Sequence, residues 1–356
     1  MSVRHALSLE DIGPQNLSML IDDSLKIAAG DAGRTKPLAG RIAGIFFRGT
    51  STRTRTAFTV GALKLGASII TYGPDDLQIK TGETIEDTAR VLSGFLDILV
   101  IRTNDSIAEM NALAAQDRMA VINAMSENEH PTQAIADLVT MKEEFGHLNV
   151  HVLYLGEGNN SAAALALAVS MTPRMRLTLV TPEDYGLPPS VLEKANRLAL
   201  QHGSSIEQHH CMDNLPKEVD VVYTTRWQTM GVPKADPNWV EKFKPYSVTK
   251  EVMAKTSKPS GRTIFLHDLP AVRGMDVYDE VLDGPQSRAF RQSEHKLNSA
   301  MSVLQWCLAE TELTIGQGNH LIGESRLHHP PVPMCPQLYG ELQARERPGE
   351  LCILRE

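Results

Sequence analysis

Cysteine is scarce in this chain. Cys211, Cys307, Cys335 and Cys352 are the four in 356 residues, and no two form a CxxC pair. Neither a disulfide framework nor a zinc site is suggested, and reduced thiols in a cytoplasmic protein are the expectation. A basic excess is also missing. The formal net charge is -8, which argues against a nucleic-acid partner for the chain as a whole but leaves room for a local basic pocket. No apolar run approaches membrane-spanning length, so no membrane partner is expected. The opening MSVRHALSLEDIG has no apolar stretch of the secretory kind. Internal repeats and low-complexity blocks are absent as well.

What is there reads as globular, with 42% hydrophobic and 22% charged residues. At 356 residues, two domains are expected. A buried strand is predicted at 41–47 and further strands at 67–72, 96–101 and 119–123, with helices at 52–65, capped by Ser51, and at 132–145. The rhythm restarts with strands at 150–155, 176–180, 219–223 and 263–266 and an alanine-rich helix at 162–171. A long helix is predicted at 293–313. Alternating strands and helices imply α/β architecture, here two doubly wound parallel sheets joined by helices. The expected domains are 1–147 with the returning helix 293–313, then 148–292. A proline-bearing C-terminal extension at 316–356 completes the chain.

Residues 49–55 (GTSTRTR) follow a strand and open a helix. A helix N-terminus offers unpaired N–H groups and a favourable dipole to an anion. Ser51, Thr52 and Thr54 add hydroxyls, and Arg53 adds a bidentate fork for phosphate. The bland alternative is a Ser/Thr cap beside solvated arginines.

This segment resembles the S-T-R-T-R carbamoyl-phosphate loop of the aspartate and ornithine carbamoyltransferases, and the likeness extends over residues 5–313. It implies further roles. Gln78 and Lys80 would reach into a neighbouring subunit's site. Arg102, after a strand, would touch the carbonyl oxygen. In His130-Pro131-Thr132-Gln133, the family's HPxQ, His130 would meet the carbonyl oxygen and Gln133 the carbamoyl nitrogen. Taken singly, Arg102 could be a strand-end surface cation, His130 a helix cap and Gln133 a solvated first-turn residue.

The acceptor side carries the departures from the family pattern. Residues 156–161 (GEGNNS) resemble the ornithine enzymes' GDGNN turn, with Asn160 on the amino-acid substrate and Asn159 structural. They also look like half a dinucleotide fingerprint, but Ser161 stands where the third glycine belongs. Residues 224–231 (TTRWQTMG) are a hybrid. Ornithine enzymes have aspartate where Thr225 stands, whereas aspartate enzymes have TRxQ, whose arginine grips a carboxylate. Arg226, Gln228, Thr229 and Met230 are therefore acceptor-side candidates. In His267-Asp268-Leu269-Pro270, Asp268 replaces the family's cysteine and could hold an ammonium, accept its proton, or cap a helix; Leu269 belongs to the carbamoyl-phosphate set. Lys296 stands where the family usually has arginine, keeping the charge and losing the fork.

The resemblance implies a carbamoyltransferase with no metal and no cofactor, working as a homotrimer with shared sites. Arg102, His130 and Thr52 would polarise the carbonyl. The expected acceptor is an amino acid with a carboxylate for Arg226 and an ammonium for Asp268, such as 2,3-diaminopropionate, with ornithine or an N-modified ornithine as the alternative. A non-catalytic ligand-binding paralogue and a nucleotide-binding oxidoreductase are the rivals from other classes.

Overall fold

The structure is a computed structural model, described for residues 3–30, 35–228 and 233–309. The expected extension at 316–356, the end of the helix predicted to reach 313, and Thr229 and Met230 lie outside the described residues.

The chain starts with α1 (Leu9–Ala28), broken at Gly13 (φ 75°) just before Pro14. The first sheet is built from β1 (Ile42–Phe47), α2 (Arg53–Lys64), β2 (Ser68–Tyr72), α3 (Ile85–Leu92), β3 (Ile98–Arg102), α4 (Ala108–Leu113) and β4 (Ala120–Asn123), followed by α5 (Pro131–Phe145). Its strands are all parallel in the order β2-β1-β3-β4. The second sheet follows from β5 (His151–Leu155), α6 (Asn160–Ser170), β6 (Arg176–Val180), α7 (Pro189–His202), β7 (Ser205–His209) and β8 (Val221–Thr224). It is completed by α8 (Trp239–Phe243), α9 (Lys250–Thr256), β9 (Ile264–His267) and α10 (Asp279–Leu282), and α11 (Ala289–Leu308) closes the described chain. Its order is β7-β6-β5-β8-β9, again all parallel. Two parallel-sheet α/β halves are the architecture that the alternating strand and helix pattern predicts.

Helices α1, α5, α6 and α11 fill the space between the sheets, and one apolar cluster runs through both halves. Helix α5 is buried at every position from Pro131 to Met141. Helix α6 is buried from Ser161 to Ser170, and its alanines let α5 approach closely. A helix buried on all sides must satisfy its polar residues internally. Thr140 does so by bonding Ala136 O at 2.7 Å, and Gln133 and Asp137 do so with partners beyond α5.

Most predicted boundaries shift by a residue or two, and two of the shifts bear on the site. Helix α2 begins at Arg53, with Thr52 rather than Ser51 as its first flanking residue. Thr52 already has helical dihedrals, and Ser51 Oγ serves inside the turn, accepting Arg55 N–H at 3.3 Å. Helix α11 begins at Ala289, four residues before the predicted start.

Candidate active site

In a parallel sheet every strand ends at the same edge, and a crevice opens where successive connections leave to opposite faces. In the first sheet that point lies between β1 and β3; in the second it lies between β5 and β8. The loops after all four strands line one cleft of about 930 Å³ including its mouth. The N-termini of α2, α5 and α6 meet there, and each favours negative charge. Among the lining side chains Arg53, Arg102, Arg226 and Lys296 are cationic, and Asp268 is the acid. A chain of net charge -8 thus holds an anion-attracting cleft.

The first-sheet side is built from Ser51, Thr52, Arg53, Thr54, Arg102, His130 and Gln133, with Lys296 from α11. Thr54 is buried and accepts from Arg102 Nη1 at 3.4 Å. Burial and the neighbouring Arg53 lower the Arg102 guanidinium to about 10, with Asp268 opposing the fall. Burial also lowers Arg53, again opposed by Asp268. His130 is held well below its usual value by burial and by the positive Lys296 and Arg102, so its imidazole is neutral at pH 7. Lys296 is lowered to about 8 by burial, against the pull of Asp268 and Asp137. It donates to Gln133 Oε1. These shifts share burial as their largest cause, and at Arg102, His130 and Lys296 neighbouring cations add to it.

Opposite stand the second-sheet loops. Asn159 caps α6, accepting Ser161 N–H at 3.0 Å and Ala162 N–H at 3.1 Å. Its amide donates to Thr225 Oγ1 at 3.3 Å. That hydroxyl in turn donates to both Asp268 oxygens, at 3.0 and 3.1 Å. His267 Nδ1 accepts Leu269 N–H at 2.8 Å, so its 3.5 Å approach to Asp268 is not a hydrogen bond. Leu269 itself takes the left-handed region at φ 52°. Arg226 is half-buried, and among the described residues its Nε has no hydrogen-bond partner. The Asn160 amide donates to Ser126 O at 2.7 Å, tying the β5 turn to the first half.

The 156–161 turn owes its glycines to local geometry. Gly156 sits at φ 120°, and a Cβ on Gly158 would lie 2.4 Å from the backbone of Gly186 and Leu187. Close packing explains that pair without a dinucleotide. Among the described residues no group of three His, Cys, Asp or Glu side chains could hold a metal ion.

Two family models match. Residues 4–143 match "Aspartate/ornithine carbamoyltransferase, carbamoyl-P binding domain", and residues 148–307 match the "Asp/Orn binding domain" of the same family. The chain belongs to the aspartate/ornithine carbamoyltransferase family. It is an enzyme of the carbamoyl-transferring class. An ornithine carbamoyltransferase of Caldicellulosiruptor saccharolyticus is 37% identical over 305 residues, covering 85% of this chain and 97% of the relative. One from Methanothermobacter thermautotrophicus is 35% identical over 308 residues, covering 86% and 100%. The solved ornithine carbamoyltransferase of Pyrococcus furiosus superposes with a TM-score of 0.80 at 33% identity, covering 87% of this chain and 99% of that one.

Within this carbamoyltransferase, most of the expected residues line one cleft, including Asn160, Gln228 and Leu269. Gln78 does not. It sits exposed in a 3-10 turn, Gln78–Thr81, accepting Thr81 Oγ1 at 2.6 Å. The side chain of Lys80, like Thr229 and Met230, lies outside the described residues. Thr225, Asn104 and Met125 line the cleft without having been singled out. Only Thr225 had a visible signal, as the position where an aspartate had been lost.

Proposed function

We propose that this enzyme transfers the carbamoyl group of carbamoyl phosphate to the amine of a short diamino acid such as 2,3-diaminopropionate. The observation that carries the acceptor is the Asp268 carboxylate, hydrogen-bonded to Thr225 within a cleft whose other charged side chains are cations. Thr225 stands where the family resemblance puts an aspartate. The negative charge missing from the loop after β8 is therefore supplied from the loop after β9.

The donor dianion fits Ser51, Thr52, Arg53, Thr54 and the α2 N-terminus. Arg102, Thr52 and neutral His130 point donors at the carbonyl oxygen, where negative charge develops. Gln133 takes the carbamoyl nitrogen. Leu269 and Lys296 complete the donor set. Arg226 binds the acceptor carboxylate, and Asp268 holds the ammonium that does not react. Asn160, Gln228, Thr229 and Met230 frame the rest of the acceptor. The other amine attacks as its neutral form. A C–N bond forms, the C–O bond to phosphate breaks, and the nitrogen's proton leaves with the phosphate. Holding both reactants supplies much of the rate through orientation. Two doubly charged ligands and one acid leave an aspartate acceptor poorly placed, because its second carboxylate would meet Asp268.

The reading includes a homotrimer with shared sites. Gln78 on its exposed turn, with Lys80, would complete a neighbour's cleft rather than its own. Exposed Leu63, Ile70, Val91 and Phe95, on α2 and β2 and on and just after α3, supply apolar surface on the same half of the chain as that turn.

Ornithine is the second reading, favoured by the name that the similar enzymes carry. A phosphate-release and product assay across aspartate, ornithine, N-acetylornithine, putrescine and 2,3-diaminopropionate separates them. Efficient turnover of diaminopropionate is expected. Turnover of ornithine alone overturns the proposal.

A further inference from the structure

Helix α5 carries, one turn beyond Gln133, a carboxylate that the reaction as derived does not use. Asp137 is fully buried, and every polar neighbour donates to it. Its Oδ1 accepts Gln133 Nε2 at 2.7 Å and Gln292 Nε2 at 2.6 Å, and its Oδ2 accepts the Tyr223 hydroxyl at 3.0 Å. Gln292 Oε1 accepts the His267 backbone N–H at 2.9 Å, and Gln133 Oε1 accepts Lys296 Nζ. Gln133, Gln292, Tyr223 and His267 are also buried to within a percent or so of complete. The network joins α5, α11, β8 and the start of the β9 loop.

An amide can sit either way round in a site of this shape, because its oxygen and nitrogen are nearly isosteric. Asp137 removes the ambiguity at Gln133. Flipped, the Gln133 oxygen would face a carboxylate oxygen at hydrogen-bond distance, and its NH2 would face the Lys296 ammonium. Both contacts would be repulsive in a buried site. Only one orientation leaves Gln133 Oε1 on the Lys296 side, with a second lone pair for an incoming N–H.

We propose that Asp137 is a positioning residue for carbamoyl transfer, fixing the Gln133 amide so that its oxygen receives the carbamoyl NH2. This rests on the reading that Gln133 touches the carbamoyl nitrogen. Asp137 does it through Oδ1, which accepts both glutamine amides, whereas Oδ2 faces the Tyr223 hydroxyl alone. Burial raises the carboxyl to about 7, while the Gln292 and Gln133 amides and Lys296 favour the charged form. The groups facing it are Gln133 on its own helix, Gln292 and Lys296 on α11, Tyr223 on β8, and Asp268 beyond β9.

The test is a double-mutant cycle on kcat/KM for carbamoyl phosphate with Asp137→Leu and Gln133→Ala. Asp137→Leu removes the oxygen that both glutamine amides share while nearly keeping the side chain's shape, so nothing on that side holds the Gln133 amide one way round. A loss of about 30-fold is expected in the otherwise unaltered enzyme, shrinking to within about threefold once Gln133 is alanine. Losses that simply multiply overturn the proposal. Gln133→Ala alone with unchanged kcat/KM would instead overturn the reading of Gln133. Should Asp137→Leu fail to fold, Asp137→Ala takes its place in the same cycle, and losses that simply multiply overturn the proposal there too.

Discussion

At the scale of single residues, acceptor and donor binding can be tested at two side chains with separable signatures. Arg226 offers a half-buried guanidinium whose Nε has no hydrogen-bond partner among the described residues. Arg226→Met should raise KM for the acceptor by an order of magnitude or more, about 2 kcal/mol for a lost charged hydrogen bond, while KM for carbamoyl phosphate stays nearly unchanged. Parallel rises in both KM values would remove Arg226 from the acceptor. Lys296 makes a different statement. Burial lowers it to about 8, so in the free enzyme it is a cation below that pH and neutral above it. kcat/KM for carbamoyl phosphate should therefore fall as pH rises through about 8. Lys296→Arg should carry the plateau to higher pH, since arginine stays charged throughout. A break that stays in place in the arginine variant would assign the titration to another group.

At the scale of elements, the halves are held together by a charged seam. Arg288 pairs with Glu144 at 2.7 Å, and Arg291 and His295 both reach Glu143, joining α11 to α5. The Arg291 and His295 bonds hold the Glu143 carboxyl down to about 2 from its ordinary 4.5. A carboxylate lowered on folding contributes stability above its unfolded value and loses it as pH falls. Glu143→Gln should cost about 1 kcal/mol at pH 7 after allowing for solvent screening. The gap in Tm between variant and parent should narrow from pH 4.5 towards pH 2; a constant gap would mean lost packing instead. A second seam lies beside the acceptor loop. Lys234 reaches Glu157 and lies over the rings of Tyr185 and Phe243, at 4.6 and 5.1 Å. Lys234→Met should strip a buried acid of its partner and cost about 3 kcal/mol in urea melts, with Glu157→Gln restoring much of it. The parallel strands were legible because strands buried on both faces read as continuous apolar runs, as in β1 and β5. The polar edge strand β7 (SIEQH) has no such run, and α1 loses its periodicity at Gly13 and Pro14. The donor loop was legible because Ser51 to Thr54 are contiguous. The Asn159–Thr225–Asp268 chain was not, since its links span 66 and 43 residues. Asp137 was hidden for another reason: within a helix, a buried carboxylate looks like any polar position until its partners on other elements are known.

At the scale of the whole molecule, each sheet contributes one wall of the cleft, so the site is complete only when both halves face each other. The trimer reading adds a third contributor, and mixing can test it. Subunits carrying Arg53→Ala and subunits carrying Gln78→Ala, each impaired alone, should regain activity when dissociated and reassembled together, because some mixed sites would combine two intact contributions. Mixtures no more active than the separate variants would place every needed group in one subunit. The division between the walls has a further consequence. On the proposed reading, donor contacts come from the first sheet and α11, with Leu269 the exception, whereas Thr225, Arg226 and Asp268 hang from the ends of β8 and β9. Mutation would then redraw acceptor choice in two short loops while most phosphate contacts stay as they are. A lineage on this scaffold can change what it carbamoylates without relearning how.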